Sequence, residues 1–255
     1  MKLPRENSTP WLQLRPTPET PQMRMFCFPH AGGGSTVYYP WNRSLPPFVQ
    51  VCPIVLPGRE NRVSEPSIDD FSMLLASITR HLRPWLDLPF VVFGHSMGAL
   101  LAFEWVRELR RNHCPMPGWL FLSGRCAPQT PPISSPLHNK PDEEFLSELN
   151  ERYRGIPDEV LSNPELLEFY LPILRADIGV IESYRYQEQE PLSIPITVFA
   201  GADDTSISWN EIMDWKLHTS ARFQTQILPG GHFYPHNSLL QAMSKTLLEL
   251  PLIGV

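Results

Sequence analysis

Phe90-Val91-Val92-Phe93-Gly94-His95-Ser96-Met97-Gly98-Ala99-Leu100-Leu101-Ala102-Phe103 is the stretch that decides the fold. Its four-residue apolar run predicts a buried strand, and the residues after Ser96 predict a helix packed behind it, so Ser96 falls on the turn between them. Gly94 and Gly98 carry no side chains, which lets strand and helix pack closely around a turn that pushes the serine hydroxyl outward. This is the G-x-S-x-G nucleophile elbow, meaningful only between a strand and a helix. The helix N-terminus beneath it favours developing negative charge.

Working outward toward the N-terminus, Met25-Phe26-Cys27-Phe28 is a short apolar run that enters the loop Pro29-His30-Ala31-Gly32-Gly33-Gly34-Ser35. Val51–Leu56 is a second strand candidate, in which Pro53 limits central pairing. Pro57-Gly58-Arg59-Glu60 turns the chain. Ile68, Phe71, Leu74, Leu75, Ile78, Leu82 and Trp85 then fall at helical spacing, with a capping-box pattern at Ser67 and Asp70. On the other side, the helix after Ser96 is expected to run to about Asn112, before Pro115, and Trp119–Ser123 is a further strand. This alternation predicts an α/β fold with a mainly parallel sheet, helices on both faces, and a site beyond the carboxyl ends of the strands.

The alternation stops between residues 128 and 191. A loop containing Pro128, Pro131, Pro132 and Pro136 precedes helical patterns at Asp142–Tyr153 and Pro164–Tyr186, the second opened by Asn163 as N-cap. An all-helical insertion between parallel strands is expected to be a lid. Ile196–Ala200 and Phe223–Leu228 resume the sheet around a helix near Trp209–Leu217, and a last helix covers about Ser238–Leu250.

With 255 residues, 42% of them hydrophobic, the chain is expected to form a single domain over 1–255 that includes the 128–191 insertion and an extended arm over 1–24. A formal charge of −6 argues against a general nucleic-acid or anionic-membrane binder. Cys27, Cys52, Cys114 and Cys126 are widely separated, so neither a zinc site nor a disulfide framework is indicated. The first 25 residues lack the apolar core of a signal peptide, and no stretch reaches the length of a membrane span. A cytoplasmic protein is expected, with no metal and no cofactor.

A serine hydroxyl is a weak nucleophile at neutral pH, so the elbow implies a histidine base and an acid that orients it. The strand ending at Ala200 runs into Gly201-Ala202-Asp203-Asp204-Thr205, and the strand ending at Leu228 into Pro229-Gly230-Gly231-His232-Phe233. Ser96, Asp204 and His232 thus follow the order Ser, Asp, His of an α/β-hydrolase. His232 is preferred over His236, because two glycines free its loop, and over His95, whose side chain leaves the elbow in another direction. Asp204 is preferred over Asp203 for its spacing from Gly201. Acyl transfer also needs two donors for the oxyanion, expected from the backbone N–H groups of Met97 and Ala31. The glycine-rich loop lacks the spacing and the lysine of a phosphate-binding P-loop.

Taken together, Phe26–Gly34, Leu56–Arg62, Phe93–Ala99, Leu174–Asp177 and Gly230–Tyr234 resemble the type II thioesterases, stand-alone editing hydrolases of polyketide and nonribosomal peptide assembly lines. The resemblance implies a Ser96–Asp204–His232 triad, an oxyanion hole at Ala31 and Met97, a helical lid, and a carrier-protein partner bearing a phosphopantetheine arm; a monomer is expected. The proline often found after the acid in that family is absent, which keeps Asp203 open. Similar chains release medium-chain fatty acids from fatty acid synthase, and a carboxylesterase on the same scaffold is the other alternative. Arg59, Glu60, Arg62, Arg175 and Asp177 match the family and are weighted toward fixing loops. Arg107, Arg110 and Arg111, taken as exposed cations, are candidate carrier contacts.

Overall fold

Every strand expected from an apolar run is present, and all six lie in one parallel sheet. They are β1 (Met23–Phe28), β2 (Val49–Pro53), β3 (Phe90–His95), β4 (Leu120–Ser123), β5 (Ile196–Gly201) and β6 (Phe223–Leu228). Their order is β2-β1-β3-β4-β5-β6, with each neighbouring pair parallel. This computed structural model describes residues 9–17, 19–131, 136–153, 156 and 158–250; Pro18, Pro132 and the first eight residues of the arm lie outside it. The helices are α1 (Phe71–Leu82), α2 (Met97–Arg111), α3 (Asp142–Tyr153), α4 (Asp158–Leu161), α5 (Pro164–Ser183), α6 (Trp209–Met213) and α7 (His236–Glu249).

Side chains alternate across each strand, so the sheet buries two separate faces. Phe26, Phe28, Phe90, Val92, Leu120, Leu122, Ile196 and Val198 pack with α1 and α2. Met25, Cys27, Val91, Phe93, Phe121 and Phe199 face the other way, onto Tyr38 and Trp41 of a 3-10 segment and onto Leu239, Leu240, Met243 and Leu247 of α7. Strands buried on both faces read as continuous apolar runs, which is why β3 was legible as a block.

The sheet changes direction at β1, since β2 lies on one side of it and β3 on the other. The loops leaving β1 and β3 therefore flank the switch point, where parallel sheets open a crevice beyond their carboxyl ends. Phe28 at the end of β1 is level with Gly94 in β3, and Gly201 at the end of β5 is level with Leu228 in β6. Four chain ends thus reach the same edge.

Several boundaries differ from the expectations. β2 ends at Pro53, not Leu56, because proline has no N–H for the ladder; Ile54 continues only as an antiparallel bridge to Leu12 of the N-terminal segment. The cap of α1 is Asp70, whose carboxylate accepts from Met73 N at 2.8 Å. Ser67 packs instead against Gly58 in the preceding turn, too far back to cap. The Trp209–Leu217 helix is α6 followed by a 3-10 segment, Asp214–His218, and α4 had no expected counterpart.

Between β4 and β5, helices α3, α4 and α5 bury a cluster of their own that includes Phe145, Leu149, Val160, Leu174 and Ile178. Asn163 caps α5 as expected, accepting from Glu165 N and Leu166 N. Arg175 ties α5 to the incoming loop through the carbonyls of His138 at 2.6 Å and Lys140 at 2.7 Å. α5 also rests on α1, where Ser183 Oγ accepts from Phe71 N at 2.9 Å. Of the three cations expected to be exposed on α2, Arg107 and Arg110 are covered by the chain that leaves α5, whereas Arg111 stays exposed. Arg107 is buried against Glu104 and the carbonyl of Gln187, Arg110 donates to the carbonyls of Glu190 and Pro191, and Arg111 pairs with Glu108.

The elbow depends on absent side chains. A Cβ on Gly98 would stand 2.6 Å from the Pro29 carbonyl oxygen and closer still to that of Phe28, both backbone atoms that cannot rotate away. Gly98→Ala is therefore expected to destabilise the chain by about 1–3 kcal/mol through overpacking, measured by urea denaturation. Wild-type stability would show that α2 does not press on the end of β1.

Candidate active site

Ser96 has φ 55° and ψ −115°, a conformation that ordinary side chains avoid, on the turn between β3 and α2. Such strain costs about 1–3 kcal/mol and persists only where the surroundings over-determine it. Those surroundings are visible: Ser96 N donates to the Ser123 carbonyl at 2.8 Å, and Gly94 and Gly98 are wedged against each other on either side. Serine here occupies the position of a helix N-cap, yet its side chain makes no cap hydrogen bond. The hydroxyl is left for other use.

The acid and the histidine come from the loops after β5 and β6. Gly201 allows the first to lie directly on the second, since any Cβ there would run into the carbonyls of Gly230 and Gly231. Asp203 N donates to the Gly230 carbonyl at 2.9 Å, and Ala202 N to that of Leu228 at 2.8 Å. With the loops so joined, Asp204 Oδ2 accepts from His232 Nδ1 at 2.8 Å, and both side chains are almost wholly buried. Asp203 is exposed. A proton held on Nδ1 leaves Nε2 with the lone pair of a base, and Nε2 is buried without a hydrogen-bond partner among the described residues.

Ser206 went unnoticed in the sequence. Its Oγ donates to Asp204 Oδ1 at 2.6 Å and its N–H to the same oxygen at 3.0 Å. The Asp-x-Ser spacing of an Asx-turn was the available signal. Burial acts to raise the pKa of Asp204, but hydrogen bonds from His232 and Ser206 outweigh it and hold the carboxyl below its ordinary range. Tyr153, at the end of α3, was also missed; its ring lies 5.1 Å from that of His232.

His95 and His236 each have a structural partner, although His95 Nε2 is, like His232 Nε2, buried without one among the described residues. His95 Nδ1 lies 2.7 Å from Ser123 Oγ, which in turn meets the Tyr234 hydroxyl, and its ring is 5.2 Å from that of His232. His236 opens α7 and accepts from Trp41 Nε1 at 3.2 Å. Burial above all, then the neighbouring His232, depresses His30 to about 4 and His95 well below its ordinary value. Far from this edge, burial also depresses His218 to about 4.

The glycine-rich loop after β1 is held from behind. Arg59 makes a two-pronged ion pair with Asp177 of α5, Nη2 to Oδ1 at 2.6 Å and Nη1 to Oδ2 at 2.8 Å, with both side chains buried. The pair also reaches the loop backbone, Asp177 Oδ2 accepting from Gly32 N at 2.7 Å and Arg59 Nη1 donating to the Gly33 carbonyl at 3.0 Å. Glu60 accepts from Ser35 Oγ at 2.7 Å. The loop-fixing role given to these residues in the sequence is the one they occupy.

Residues 23–247 match the family model of the thioesterase domain. The chain belongs to the thioesterase family. It is 37% identical over 232 residues to the gramicidin S biosynthesis protein GrsT of Aneurinibacillus migulanus, covering 91% of this chain and 90% of that protein. It is 35% identical over 219 residues to the human medium-chain S-acyl fatty acid synthase thioesterase, covering 83% and 80%. Among solved structures it resembles the type II thioesterase BorB from the borrelidin biosynthetic cluster, with a TM-score of 0.82 at 31% identity over 94% of this chain and 97% of that one. This thioesterase is a hydrolase of the α/β-hydrolase fold. No helix among the described residues is long and apolar enough to cross a membrane.

The buried histidines set an acid limit. A group whose folded pKa is depressed contributes stability above its unfolded pKa, near 6.5 here, and that contribution is lost as pH falls toward the folded value. Unfolding free energy is therefore expected to drop between pH 6.5 and about 4, by up to about 1.4 kcal/mol per pH unit for each such histidine. His218→Gln should flatten that slope in urea titrations at several pH values. An unchanged slope would mean that His218 titrates alike in both states.

Proposed function

We propose that this thioesterase hydrolyses acyl thioesters from the phosphopantetheine arm of carrier proteins, clearing aberrant acyl groups from polyketide or nonribosomal peptide assembly lines. The observation that carries the mechanism is the convergence of the strained Ser96 turn and the Asp204–His232 pair on one sheet edge. Ser96 Oγ attacks the thioester carbonyl while His232 Nε2 takes its proton. Asp204 stabilises the resulting imidazolium, and the backbone N–H groups of Ala31 and Met97 receive the oxyanion. Collapse expels the pantetheine sulfur, protonated from His232. A water then attacks the acyl-Ser96 ester with His232 again as base, which releases the acid and restores the serine.

In this reading the segment 128–191 is a lid on a single 1–255 domain. The placement of Tyr153 beside His232 supports it, as does the separate core that α3, α4 and α5 bury. A second reading, medium-chain release from fatty acid synthase, is favoured by the 35% identity to the human enzyme. It uses the same triad on a different carrier.

Ser96→Ala should abolish turnover beyond a residual effect of binding, and Asp204→Asn should lower kcat by about 10³–10⁴-fold through loss of tautomer and orientation. Asp203→Asn should stay close to wild type. Steady-state kinetics on folded variants checks this, and a reversed ranking of the two aspartates would move the acid to Asp203.

Acyl carrier proteins should be hydrolysed with higher kcat/KM than the same acyl groups on coenzyme A. The thioester is chemically identical in both, so only contacts with the carrier surface distinguish them. Equal kcat/KM for both donors would replace carrier recognition with general acyl-thioester hydrolysis.

A further inference from the structure

We infer that Arg59 and Asp177 are positioning residues for the reaction, a buried ion pair that aims the Ala31 amide at the oxyanion. The inference rests on the assignment of that amide in the proposed function. Its basis is the hydrogen bonding of four successive peptide units. In the His30–Ala31 unit the carbonyl accepts from Gly33 N at 2.9 Å. A trans peptide is planar, so the Ala31 N–H points away from that bond. In the Ala31–Gly32 unit the N–H is held by Asp177 Oδ2 at 2.7 Å. The N–H of the Gly32–Gly33 unit closes the turn onto His30, and the carbonyl of the Gly33–Gly34 unit is held by Arg59 Nη1 at 3.0 Å.

The ion pair therefore holds the units on both sides of that turn, and with them the direction of the Ala31 N–H. Among the described residues these are the only side-chain hydrogen bonds to the backbone between Pro29 and Gly34. Gly32 is also pressed by Leu174, one turn before Asp177 on α5, where an added Cβ would stand 2.6 Å from Leu174 Cδ2. The loop is thus located from three directions: by β1, by the Arg59 turn after β2, and by α5.

Stability alone does not call for such a pair. Two buried charges lose their hydration, and replacing both with apolar groups of similar volume is often neutral or stabilising. An apolar pair cannot, however, hold one N–H and one carbonyl in the same loop. Because Asp177 lies on α5, the same contact makes the geometry of the oxyanion donor depend on where that helix sits.

The test uses the full chain carrying Arg59→Met together with Asp177→Leu, which removes both charges and keeps the volume. Folding is followed by circular dichroism and thermal melting, kinetics with hexanoyl-pantetheine, and tetrahedral binding with a trifluoromethyl ketone that adds reversibly to serine. The expected result is a folded protein with kcat lowered about 10²-fold, KM within about threefold, and ketone affinity reduced in step with kcat/KM. Restoring an acceptor for Gly32 with Arg59→Met and Asp177→Asn should recover part of kcat without raising the melting temperature. If the apolar pair does not fold, Arg59→Met with Asp177→Asn, which leaves no buried charge unpaired, carries the test, with kcat about tenfold lower at unchanged KM expected. Wild-type kcat in the folded variant overturns the inference. Ser96→Ala run alongside separates the two levels: inactive Ser96→Ala beside a fully active pair variant refutes positioning alone, and turnover by Ser96→Ala refutes the serine mechanism as well.

Discussion

Backbone pressed against backbone along the carboxyl edge of the sheet is the constraint on which the rest of this structure depends. Gly98 sits against the carbonyls of Phe28 and Pro29, Gly94 against Gly98, and Gly201 against the carbonyls of Gly230 and Gly231. The first and third contacts join chain that leaves different strands, the second closes the elbow between β3 and α2, and none has room for a side chain. The first two set the strained serine beside the loop of Ala31. The third stacks the turn carrying Asp204 on the turn carrying His232, and the 2.8 Å hydrogen bond between those side chains follows from it. The parallel order of the sheet brings these ends to one edge, and the glycines let them close to bonding distance.

Charge is treated differently at the front and the back of this edge. The Asp204–His232 pair faces the crevice, with Nε2 left unengaged, whereas Arg59 and Asp177 lie behind the glycine-rich loop and spend four hydrogen bonds on each other and on its backbone. Removing one partner of that buried pair would strand the other charge, at a cost of about 3–5 kcal/mol. His30 and His95 line the edge between the two pairs, and burial keeps both neutral.

Much of this was legible in the sequence because it rests on local patterns. β6 and α3 have the boundaries expected from their apolar spacing, and Asn163 caps α5 as its position before Pro164 suggested. What was not legible depends on tertiary partners. Ser67 and Asp70 both look like caps, and only the packing of Ser67 on Gly58 decides between them. Arg107 and Arg110 look like solvated cations on an amphipathic helix until the chain between Gln187 and Pro191 crosses over them. Arg59 and Asp177 are 118 residues apart, so their pairing leaves no local trace. The choice of Asp204 over Asp203 could be argued from spacing, but its second anchor, Ser206, emerged only with the fold.

In the proposed mechanism Ser96 takes the acyl group. Its most direct test is intact-protein mass spectrometry of the wild-type chain quenched within its first turnover, after mixing with an acyl thioester of known mass. The predicted result is a gain equal to the acyl group, located by peptide mapping on the segment that contains Ser96. An acyl group found on another residue, or turnover with no covalent intermediate at any quench time, would contradict it.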